Sequence, residues 1–293
     1  MKVLVLGSKG QLGRCIHDQL ENKNFEVIYT SRNQIDVGNL EITRTQILDI
    51  APDTIINASA YTAVDRAEKE NKIANLINSV ALGNLAKISL ELDCWLIHLS
   101  TDYVFDGASS IAYQEEDLTN PQSVYGETKL NGEIAIQSSG CKYIILRSAW
   151  IFSEYGNNFL KTMLHLANIN DELSVVSDQI GCPTYAQDIA KTIVLILPRL
   201  NSNKMLNGVY HYCGDQILSW HGFAKAIFEE AKILGFKTPK FVNKIETLAL
   251  QQTASRPSYS VLDCAKIDKN FGITTSNCRL GIQSTLKKLS RIS

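Results

Sequence analysis

The segment KVLVLGSKGQLG at residues 2–13 decides the fold of this chain. Residues 2–6 are an apolar run that is too short for a helix and is typical of a buried strand. Gly7, Gly10 and Gly13 follow at once. Glycines at this spacing let the backbone turn tightly, approach a pyrophosphate and begin a helix whose N-terminal amides face the phosphates. A helix at 11–21 and a second strand at 25–30 complete a βαβ unit of about 30 residues. The segment therefore predicts a dinucleotide-binding fold.

Strand and helix signals continue to alternate as far as residue 150. This alternation implies a parallel sheet covered by helices on both faces, with ligands bound beyond the carboxyl ends of the strands. Further strands are predicted at 54–58, 95–100 and 142–147, and helices at about 72–91 and 125–138. Later elements are helices at 157–168, 187–197 and about 219–234 and a short strand at 208–213. The sequence predicts an α/β protein: a doubly wound parallel sheet (Rossmann) over 1–150, with a smaller C-terminal substrate-binding lobe over 151–293 that interleaves with it.

The composition argues against several classes of protein. The 293 residues carry a formal charge of −1 with acidic and basic residues interleaved, unlike a nucleic-acid-binding surface or an electrostatic membrane anchor. The longest apolar runs fall far below the ~20 residues of a membrane span, and no signal peptide is expected because the first strand begins at residue 2. The seven cysteines are scattered without a C-x-x-C pair, and the five histidines show no metal spacing. We expect a cytoplasmic protein with no metal site, no disulfide framework, and neither nucleic acid nor membrane as a partner.

The expected chemistry lies in two short segments, Ser-Thr-Asp-Tyr at 100–103 and Tyr-Gly-Glu-Thr-Lys at 125–129. Tyr125 and Lys129 are four residues apart on a predicted helix, so they share one face and the ammonium can favour the phenolate. A tyrosine tuned in this way from its usual pKa near ~10 is a proton donor for the reduction of a carbonyl. Candidate residues at 7–13, 58–62, 101–103 and 150 all follow predicted strands. They are therefore expected to meet at one edge of the sheet.

The end of the second strand informs the choice of cofactor. An NAD-preferring site usually has Asp or Glu about 20 residues beyond the glycine turn, where it binds the ribose hydroxyls, whereas an arginine accommodates a 2′-phosphate. Thr30-Ser31-Arg32 stands at this place. We therefore expect NADPH, with NADH as the alternative because Arg32 could equally be an ordinary exposed charge.

Further segments, taken in order, carry a resemblance to a known family. They are GSKGQLG at 7–13, NASAYTAVD at 57–65, STDYVFDG at 100–107, YGETKL at 125–130, GNNF at 156–159, DQIGCPT at 178–184 and Arg256-Pro257. Over nearly its whole length the chain resembles the dTDP-4-dehydrorhamnose reductases, which are extended short-chain dehydrogenase/reductases. The resemblance implies reduction of the C4 ketone of dTDP-4-dehydro-L-rhamnose by NADPH or NADH, the last step in making dTDP-L-rhamnose for cell-surface polysaccharide. The implied partner is a dTDP-sugar, and the oligomeric state is left open, a homodimer included.

The resemblance also implies roles for individual residues. Hydride would attack C4 while Tyr125 supplies a proton to the C4 oxygen and Thr101 hydrogen-bonds the same oxygen. Lys129 would hold the nicotinamide ribose and lower the pKa of Tyr125. The residues expected to bind the dinucleotide are Gly7, Gly10, Gln11, Leu12, Gly13, Arg32, Asp36, Val37, Ala58, Ala60, Tyr61, Thr62, Tyr125 and Lys129. Those expected to bind the substrate are Thr101, Asp102, Tyr103, Trp150 and Arg256.

Some of these residues have plainer interpretations, and the chain departs from the family pattern at a few positions. Trp150 could be a core aromatic and Arg256 an isolated surface cation. Asn78 either points inward near the site or is a satisfied buried amide. Tyr259 stands two residues beyond Pro257, where the family often has asparagine. Cys15 and Gln187 occupy the neighbourhoods where some relatives use acidic residues for a magnesium-linked dimer, so we expect no magnesium there.

Other functions fit many of the same motifs. A nucleotide-sugar dehydratase, epimerase or different reductase shares the fold, the glycine turn and the Tyr/Lys pair, because fold alone does not determine function. A dehydratase of this superfamily typically has Glu after the Thr-Asp pair to remove a proton from the sugar. Tyr103 stands there, which favours simple reduction. A regulatory dinucleotide-binding subunit resembling the methionine adenosyltransferase β-subunit is the alternative from another class. The absence of an extension before the first strand and the complete catalytic set favour an enzyme.

Overall fold

A central parallel sheet organises the structure, a computed structural model that describes residues 1–200, 206–250 and 252–291. The strands are β1 (Lys2–Leu6), β2 (Glu26–Thr30), β3 (Thr54–Asn57), β4 (Trp95–Thr101), β5 (Lys142–Ser148), β6 (Ile151–Phe152), β7 (Glu172–Val176), β8 (Ile180–Gly181), β9 (Thr184–Tyr185), β10 (Gly208–His211), β11 (Leu218–Ser219) and β12 (Phe241–Ile245). The helices are α1 (Gln11–Leu20), α2 (Leu40–Ile50), α3 (Val64–Ala67), α4 (Asn71–Asn75), α5 (Ala81–Glu91), α6 (Val124–Gln137), α7 (Phe159–Ile169), α8 (Ala186–Leu200), α9 (Trp220–Ile233), α10 (Ala265–Phe271) and α11 (Cys278–Ser290).

The main sheet has six strands in the order β10-β5-β4-β3-β1-β2, and every neighbouring pair is parallel. From β1 the chain first adds β2 on one side and then crosses back to add β3 on the other. This reversal opens a crevice beyond the carboxyl ends of β1 and β3, where open α/β sheets bind their ligands. The predicted doubly wound α/β fold is confirmed.

Both faces of the sheet are buried, which explains why the first strand is apolar throughout. Val3 and Val5 pack into a core shared with α1 and α8, whereas Leu4 and Leu6 pack into a second core with α2 and α5. Successive side chains of a strand point to opposite faces, so a strand covered on both sides needs apolar residues at every position.

One helical stretch of 21 residues, Asn71–Glu91, is long and apolar enough by length and composition to cross a membrane. It consists of α4, a π-helical turn over Leu76–Val80, and α5. It packs against α2 and α6, and Leu82 and Leu85 are fully buried in the core. Its packing is that of a core helix in a globular domain.

The residues beyond 150 contribute to two regions. Phe152, Phe223 and Ile282 belong to a separate core formed with α7, α9 and α11. In contrast, α8 packs against α1, and β10 pairs with β5 in the main sheet. The division at residue 150 into a Rossmann domain and an interleaved lobe stays a prediction.

Several elements were not predicted from the sequence. They are α2, α3, α10, α11, the parallel pair β7 and β12, and the two-residue strands β6, β8, β9 and β11. The α2 segment LEITRTQILDI is rich in β-branched residues, which have low helix propensity. Asn39 caps this helix by accepting a hydrogen bond from the Ile42 amide, and Ile47 packs into the core. Capping and burial therefore outweigh propensity here.

Candidate functional site

The glycine turn after β1 leaves the N-terminus of α1 open to a ligand. Gly10 is the N-cap of α1 and provides no side-chain cap, so the first amides of the helix are free to bind phosphate oxygens. The Nε2 atom of Gln11 is buried without a hydrogen-bond partner. A buried amide donor without a partner is costly, and an anionic ligand at this place would satisfy it. These features fit a dinucleotide pyrophosphate.

Two glycines of the turn are required by close backbone approach. Gly7 has φ of +75°, and a Cβ added there would lie 2.9 Å from the Ser59 amide nitrogen. A Cβ on Gly13 would overlap the Gly7 carbonyl oxygen and the Ser8 backbone. Only glycine allows the turn to pack this tightly between the end of β3 and the start of α1.

Two adjoining cavities extend from the turn, with volumes of about 450 Å³ and about 600 Å³, and they share Gly10 and the segment 58–60. Predicted residues that line the smaller cavity are Gly7, Gly10, Arg32, Asp36, Val37, Ala58, Ala60 and Tyr61. Predicted residues that line the larger cavity are Gly10, Gln11, Leu12, Ala58, Ala60, Thr62, Thr101, Asp102, Tyr103, Tyr125, Lys129 and Trp150. Two predicted residues do not line either cavity: Gly13 packs against the backbone of Gly7 and Ser8, and Arg256 contacts Tyr103. The cavities follow the carboxyl ends of β1, β3, β4 and β5, as expected for this fold.

Tyr125 and Gly126, at the start of α6, both contact Tyr103 at the end of the segment 100–103. Ser123 caps α6 by accepting a hydrogen bond from the Gly126 amide at 3.2 Å. A Cβ on Gly126 would overlap the Tyr103 carbonyl oxygen, so glycine lets the first turn of α6 lie against the end of β4. The rings of Tyr103 and Tyr125 meet edge to face with centroids 5.6 Å apart. The two segments thus form one site.

Tyr125 is held in its protonated form in this structure. Burial raises its pKa to about 12, a hydrogen bond with Thr101 opposes that rise, and the nearby Asp102 carboxyl adds to it. Thr101 is buried and lies in the same cavity wall. The sequence led us to expect that Lys129 lowers the Tyr125 pKa, whereas here the opposing contact comes from Thr101.

The side chain of Lys129 is 2% exposed and lines the larger cavity together with Tyr125. Its Nζ atom lies 2.6 Å from the Leu99 carbonyl oxygen and 3.0 Å from Nε2 of His98. Burial lowers the pKa of Lys129 to about 8, and Glu133, one turn further along α6, opposes that shift. Sequence reasoning missed His98, although its place three residues before Thr101 in a buried strand was a signal for a polar group beneath the site.

Asp102 is a buried carboxyl group with an unused oxygen. Its Oδ1 accepts a hydrogen bond from Thr101, while Oδ2 is buried without a partner. Burial raises the pKa of Asp102 to about 6, and hydrogen bonding from Ser260 and Thr101 opposes that rise. An unsatisfied carboxylate oxygen in the cavity wall is suited to accept a hydrogen bond from a ligand hydroxyl.

Asp102→Asn is expected to stabilise the protein at pH 7 by about 1–3 kcal/mol, since it removes a buried charge. A carboxyl whose folded-state pKa is raised binds more protons in the folded than in the unfolded state, so its ionisation lowers stability as pH rises through about 6. The gain should therefore vanish near pH 4. Urea unfolding at both pH values measures it. Asp106→Asn is the control, because hydrogen bonds lower the pKa of that carboxyl and its loss should not stabilise. Equal effects of the two substitutions would contradict the assignment.

Asn78 points inward and links the loop at residues 60–62 to α6 through hydrogen bonds. Its Oδ1 accepts from the Tyr61 amide at 2.8 Å, and its Nδ2 donates to the Tyr61 carbonyl at 3.0 Å and to Thr128 Oγ1 at 3.2 Å. Asn78 lies within the π-turn, and Gly132 allows the Asn78 carbonyl to approach α6 closely. π-turns are often found at functional sites, and here the turn aims an amide at the segment 60–62.

Trp150 is a cavity residue with an unusual backbone. Its φ is +48°, in the left-handed region that a bulky residue rarely adopts. Its ring stacks on Trp220 with centroids 3.5 Å apart, and Gly181 makes room for it. Trp220 also lines the larger cavity and was not predicted, because nothing in the sequence near 220 marks it. The pair forms an aromatic part of the wall of the larger cavity, which Tyr125 also lines.

Arg256 makes a bidentate ion pair with Asp65. Nη1 donates to Oδ1 at 3.2 Å and Nη2 donates to Oδ2 at 2.6 Å. Arg256 is also close enough to Tyr103 for each to shift the pKa of the other. Asp65 was not predicted as a partner, although it ends the NASAYTAVD segment. The ion pair joins the first turn of α3 to the loop before Tyr259.

The neighbourhoods of Cys15 and Gln187 contain a hydrogen-bonded polar cluster. Gln187 Nε2 donates to Asp18 at 2.5 Å and to Glu154 at 3.0 Å, and Lys288 pairs with Glu154. Within residues 1–200, 206–250 and 252–291, no three His, Cys, Asp or Glu side chains are grouped so that they could hold a metal ion.

Known proteins are similar to this chain in sequence and in fold over nearly the whole length of both chains. A family model described as RmlD substrate binding domain matches residues 1–291. The dTDP-4-dehydrorhamnose reductase of Aggregatibacter actinomycetemcomitans is 40% identical over 288 residues, covering 97% of this chain and 97% of that protein. The crystal structure of a dTDP-4-dehydrorhamnose reductase from Clostridium acetobutylicum has a TM-score of 0.92 at 36% identity, covering 99% of this chain and 100% of that chain. The dTDP-4-dehydrorhamnose reductase of Bacillus anthracis, crystallised in complex with NADP, has a TM-score of 0.90 at 32% identity, covering 98% of this chain and 99% of that chain.

Proposed function

The chain belongs to the RmlD family of dTDP-4-dehydrorhamnose reductases, and we propose that it reduces the C4 ketone of dTDP-4-dehydro-L-rhamnose to give dTDP-L-rhamnose. This is the last step of dTDP-rhamnose synthesis. The observation that carries the proposal is the placement of Thr101, Tyr125 and Lys129 in one cavity wall that continues into the glycine turn. A proton donor and a dinucleotide site in one cavity are what ketone reduction needs.

The cofactor is a nicotinamide dinucleotide, NADPH or NADH. The free amides of α1, the unpartnered Gln11 amide and the two close-packed glycines support binding of its pyrophosphate. When bound, its reduced nicotinamide supplies the hydride that attacks C4.

Side chains of the protein would stabilise and then neutralise the negative charge that develops on the C4 oxygen. The Tyr125 hydroxyl would donate its proton to that oxygen, and Thr101 would stabilise the same oxygen by turning its hydroxyl away from Asp102, to which it donates in this structure. Burial raises the Tyr125 pKa to about 12, so the phenol carries its proton at neutral pH and gives it up only as negative charge develops on the C4 oxygen. Lys129 would hold the nicotinamide ribose from the floor of the cavity.

The sugar nucleotide would lie beside Asp102, Tyr103 and Trp150, which line the same cavity as Tyr125. The free Oδ2 of Asp102 would accept a hydrogen bond from a sugar hydroxyl, Trp150 would pack against the sugar, and Tyr103 would border it. Arg256 would reach the diphosphate only by loosening its ion pair with Asp65. Tyr103 stays protonated at neutral pH because burial raises its pKa, so it has no anion that could remove a proton from the sugar, which supports reduction over dehydration.

The partner of the protein is a dTDP-sugar, and nucleic acid and membrane are not among its expected partners. We place the enzyme in the cytoplasm, which is supported by seven cysteines that are all buried and unpaired. A homodimer is compatible with the fold.

Arg32→Ala is expected to weaken NADPH binding about tenfold while leaving NADH binding nearly unchanged, because a charge-assisted contact with the 2′-phosphate is lost. Arg32 is mostly exposed at the rim of the smaller cavity and pairs with Asp36 at 3.3 Å. Dissociation constants measured by fluorescence titration test this. Arg44→Ala, which removes an exposed arginine paired with Glu91, serves as the control. Equal weakening of both dinucleotides would remove Arg32 from phosphate recognition.

The function itself is tested by following loss of NADPH absorbance with enzymatically generated dTDP-4-dehydro-L-rhamnose. Substrate-dependent oxidation that yields dTDP-L-rhamnose supports the proposal. No oxidation, despite tight dinucleotide binding, would favour a regulatory subunit or a reductase of another nucleotide sugar.

A further inference from the structure

A row of buried polar groups runs beneath the floor of the larger cavity, from the loop after β3 to Lys129. Asn57 and His98 lie opposite each other on neighbouring strands, each about 1% exposed. Asn57 contacts Ser59 at one end, and His98 contacts Lys129 at the other. In a buried row, each hydrogen bond restricts the direction of the next, because each atom must either donate or accept.

The Ser59 backbone amide sets the direction of the row. It can only donate, and it points at Oδ1 of Asn57 at 3.1 Å. The Asn57 side chain must therefore present its Nδ2 donor to Nδ1 of His98, at 3.1 Å. Nδ1 accepts this bond with its lone pair, so the proton of the neutral ring lies on Nε2. Burial holds the pKa of His98 well below its usual range, with a positive charge on Lys129 acting in the same direction and a contact with the Asn57 backbone opposing it, so the ring is neutral.

The tautomer of His98 restricts the protonation state of Lys129. Its Nζ faces the Nε2–H of His98 at 3.0 Å, and an ammonium group has no lone pair with which to accept that bond. An uncharged amine can accept from His98 and still donate to the Leu99 carbonyl at 2.6 Å. The observed contacts are therefore those of neutral lysine.

Charged and polar groups on α6, on β5, after β4 and in the π-turn also lie near Lys129. Glu133 on α6 favours its charged form but is paired with Arg147 of β5. Tyr125 on α6 and Asp102 after β4 face the cavity, and the π-turn contributes Asn78, which does not titrate. Burial lowers the pKa of Lys129 to about 8, and the bond from His98 lowers it further because protonation breaks that bond.

We propose that His98 is a positioning residue that donates to the uncharged Lys129 amine in the cofactor-free protein, and that dinucleotide binding breaks this contact and lets Nζ take up a proton. The dinucleotide brings negative charge and hydroxyl acceptors into the cavity that Lys129 lines, and both favour an ammonium. The lone pair that His98 occupied forms the new N–H bond, and the proton comes from the buffer. The identity of the ligand rests on the proposed function, whereas the state of Lys129 before binding does not.

The first experiment titrates lysine Cε resonances by NMR in the free protein, with Lys129→Met identifying the Lys129 signal. In the wild type this signal should titrate at or below about pH 8. His98→Phe removes the donor, so the Lys129 pKa should rise by about one unit. If His98 instead accepted a bond from an ammonium, the same substitution would lower the pKa. His165→Phe, at an exposed position on α7, is the matched control and should leave it unchanged.

Two measurements on the wild type do not depend on any variant folding. Histidine ring NMR should show a neutral His98 with its proton on Nε2, and a proton on Nδ1 would overturn the proposal. Calorimetry of NADPH binding at about pH 8 in buffers of different ionisation enthalpy should show uptake of up to one proton. Heats that do not depend on the buffer, or a Lys129 that titrates near the ordinary ~10.4, would also overturn it. Failure to bind any dinucleotide would count against the proposed function, and the free-protein titration would still decide the role of His98.

Discussion

Tyr125→Phe is expected to lower kcat by at least ~10²-fold, the usual scale of general-acid catalysis. The substitution removes only the hydroxyl, and the ring can keep its edge-to-face contact with Tyr103. Thr101 can still hydrogen-bond the C4 oxygen but has no neighbouring proton to pass on. Steady-state rates with saturating NADPH and substrate measure the loss.

Dinucleotide binding separates this loss from a structural defect. The dissociation constant for NADPH should change little, because the glycine turn and Lys129 are untouched. Tyr143→Phe removes the hydroxyl of a partly buried tyrosine on β5, away from the cavities, and should leave kcat unchanged. A Tyr125→Phe enzyme with wild-type kcat would remove Tyr125 as the acid.

Arg147→Met is expected to destabilise the fold by about 3–5 kcal/mol, because it leaves the Glu133 carboxylate buried without a partner. The Arg147 Nε and Nη2 atoms donate to Glu133 at 2.7–3.2 Å, and both side chains are at most 4% exposed. The guanidinium also lies 5.1 Å from the Phe105 ring centre. This pair joins β5 to α6, the helix that carries Tyr125 and Lys129, so partial loss of activity should accompany the loss of stability.

Urea unfolding compares this variant with two others. Arg147→Met combined with Glu133→Gln removes the unpaired charge and should recover part of the stability. Arg44→Met breaks an exposed pair with Glu91 and should cost no more than about 1 kcal/mol. An Arg147→Met cost equal to that of Arg44→Met would show that the buried pair does not secure α6.

The parts of the site that follow strands were predictable from sequence. The apolar runs ending at Leu6, Asn57 and Thr101 placed the glycine turn, the segment 58–62 and Thr101–Tyr103 at one sheet edge, because parallel strands put their carboxyl ends together. Helix periodicity placed Tyr125 and Lys129 on one face of α6. These inferences depend on local pattern and on one rule of topology.

The contacts between distant segments were not predictable. The pairing of Arg256 with Asp65 and the stacking of Trp150 on Trp220 join residues far apart in sequence. A polar residue inside an apolar strand, such as His98, signals a buried partner but does not identify Lys129. The contact between Thr101 and Tyr125 was not predictable either, since the i, i+4 spacing of Tyr125 and Lys129 says nothing of how deeply Lys129 is buried or of what the segment 100–103 contacts.

The most direct test of the account follows the hydride. NADPH carrying deuterium at both C4 positions is incubated with the enzyme and dTDP-4-dehydro-L-rhamnose, and the product is analysed by NMR. Direct hydride transfer to the C4 ketone predicts dTDP-L-rhamnose with one deuterium at C4 of the sugar and no label elsewhere in it. Both C4 deuteriums retained on the dinucleotide, or a rearranged sugar without label, would contradict the assignment of this protein as a C4 ketoreductase.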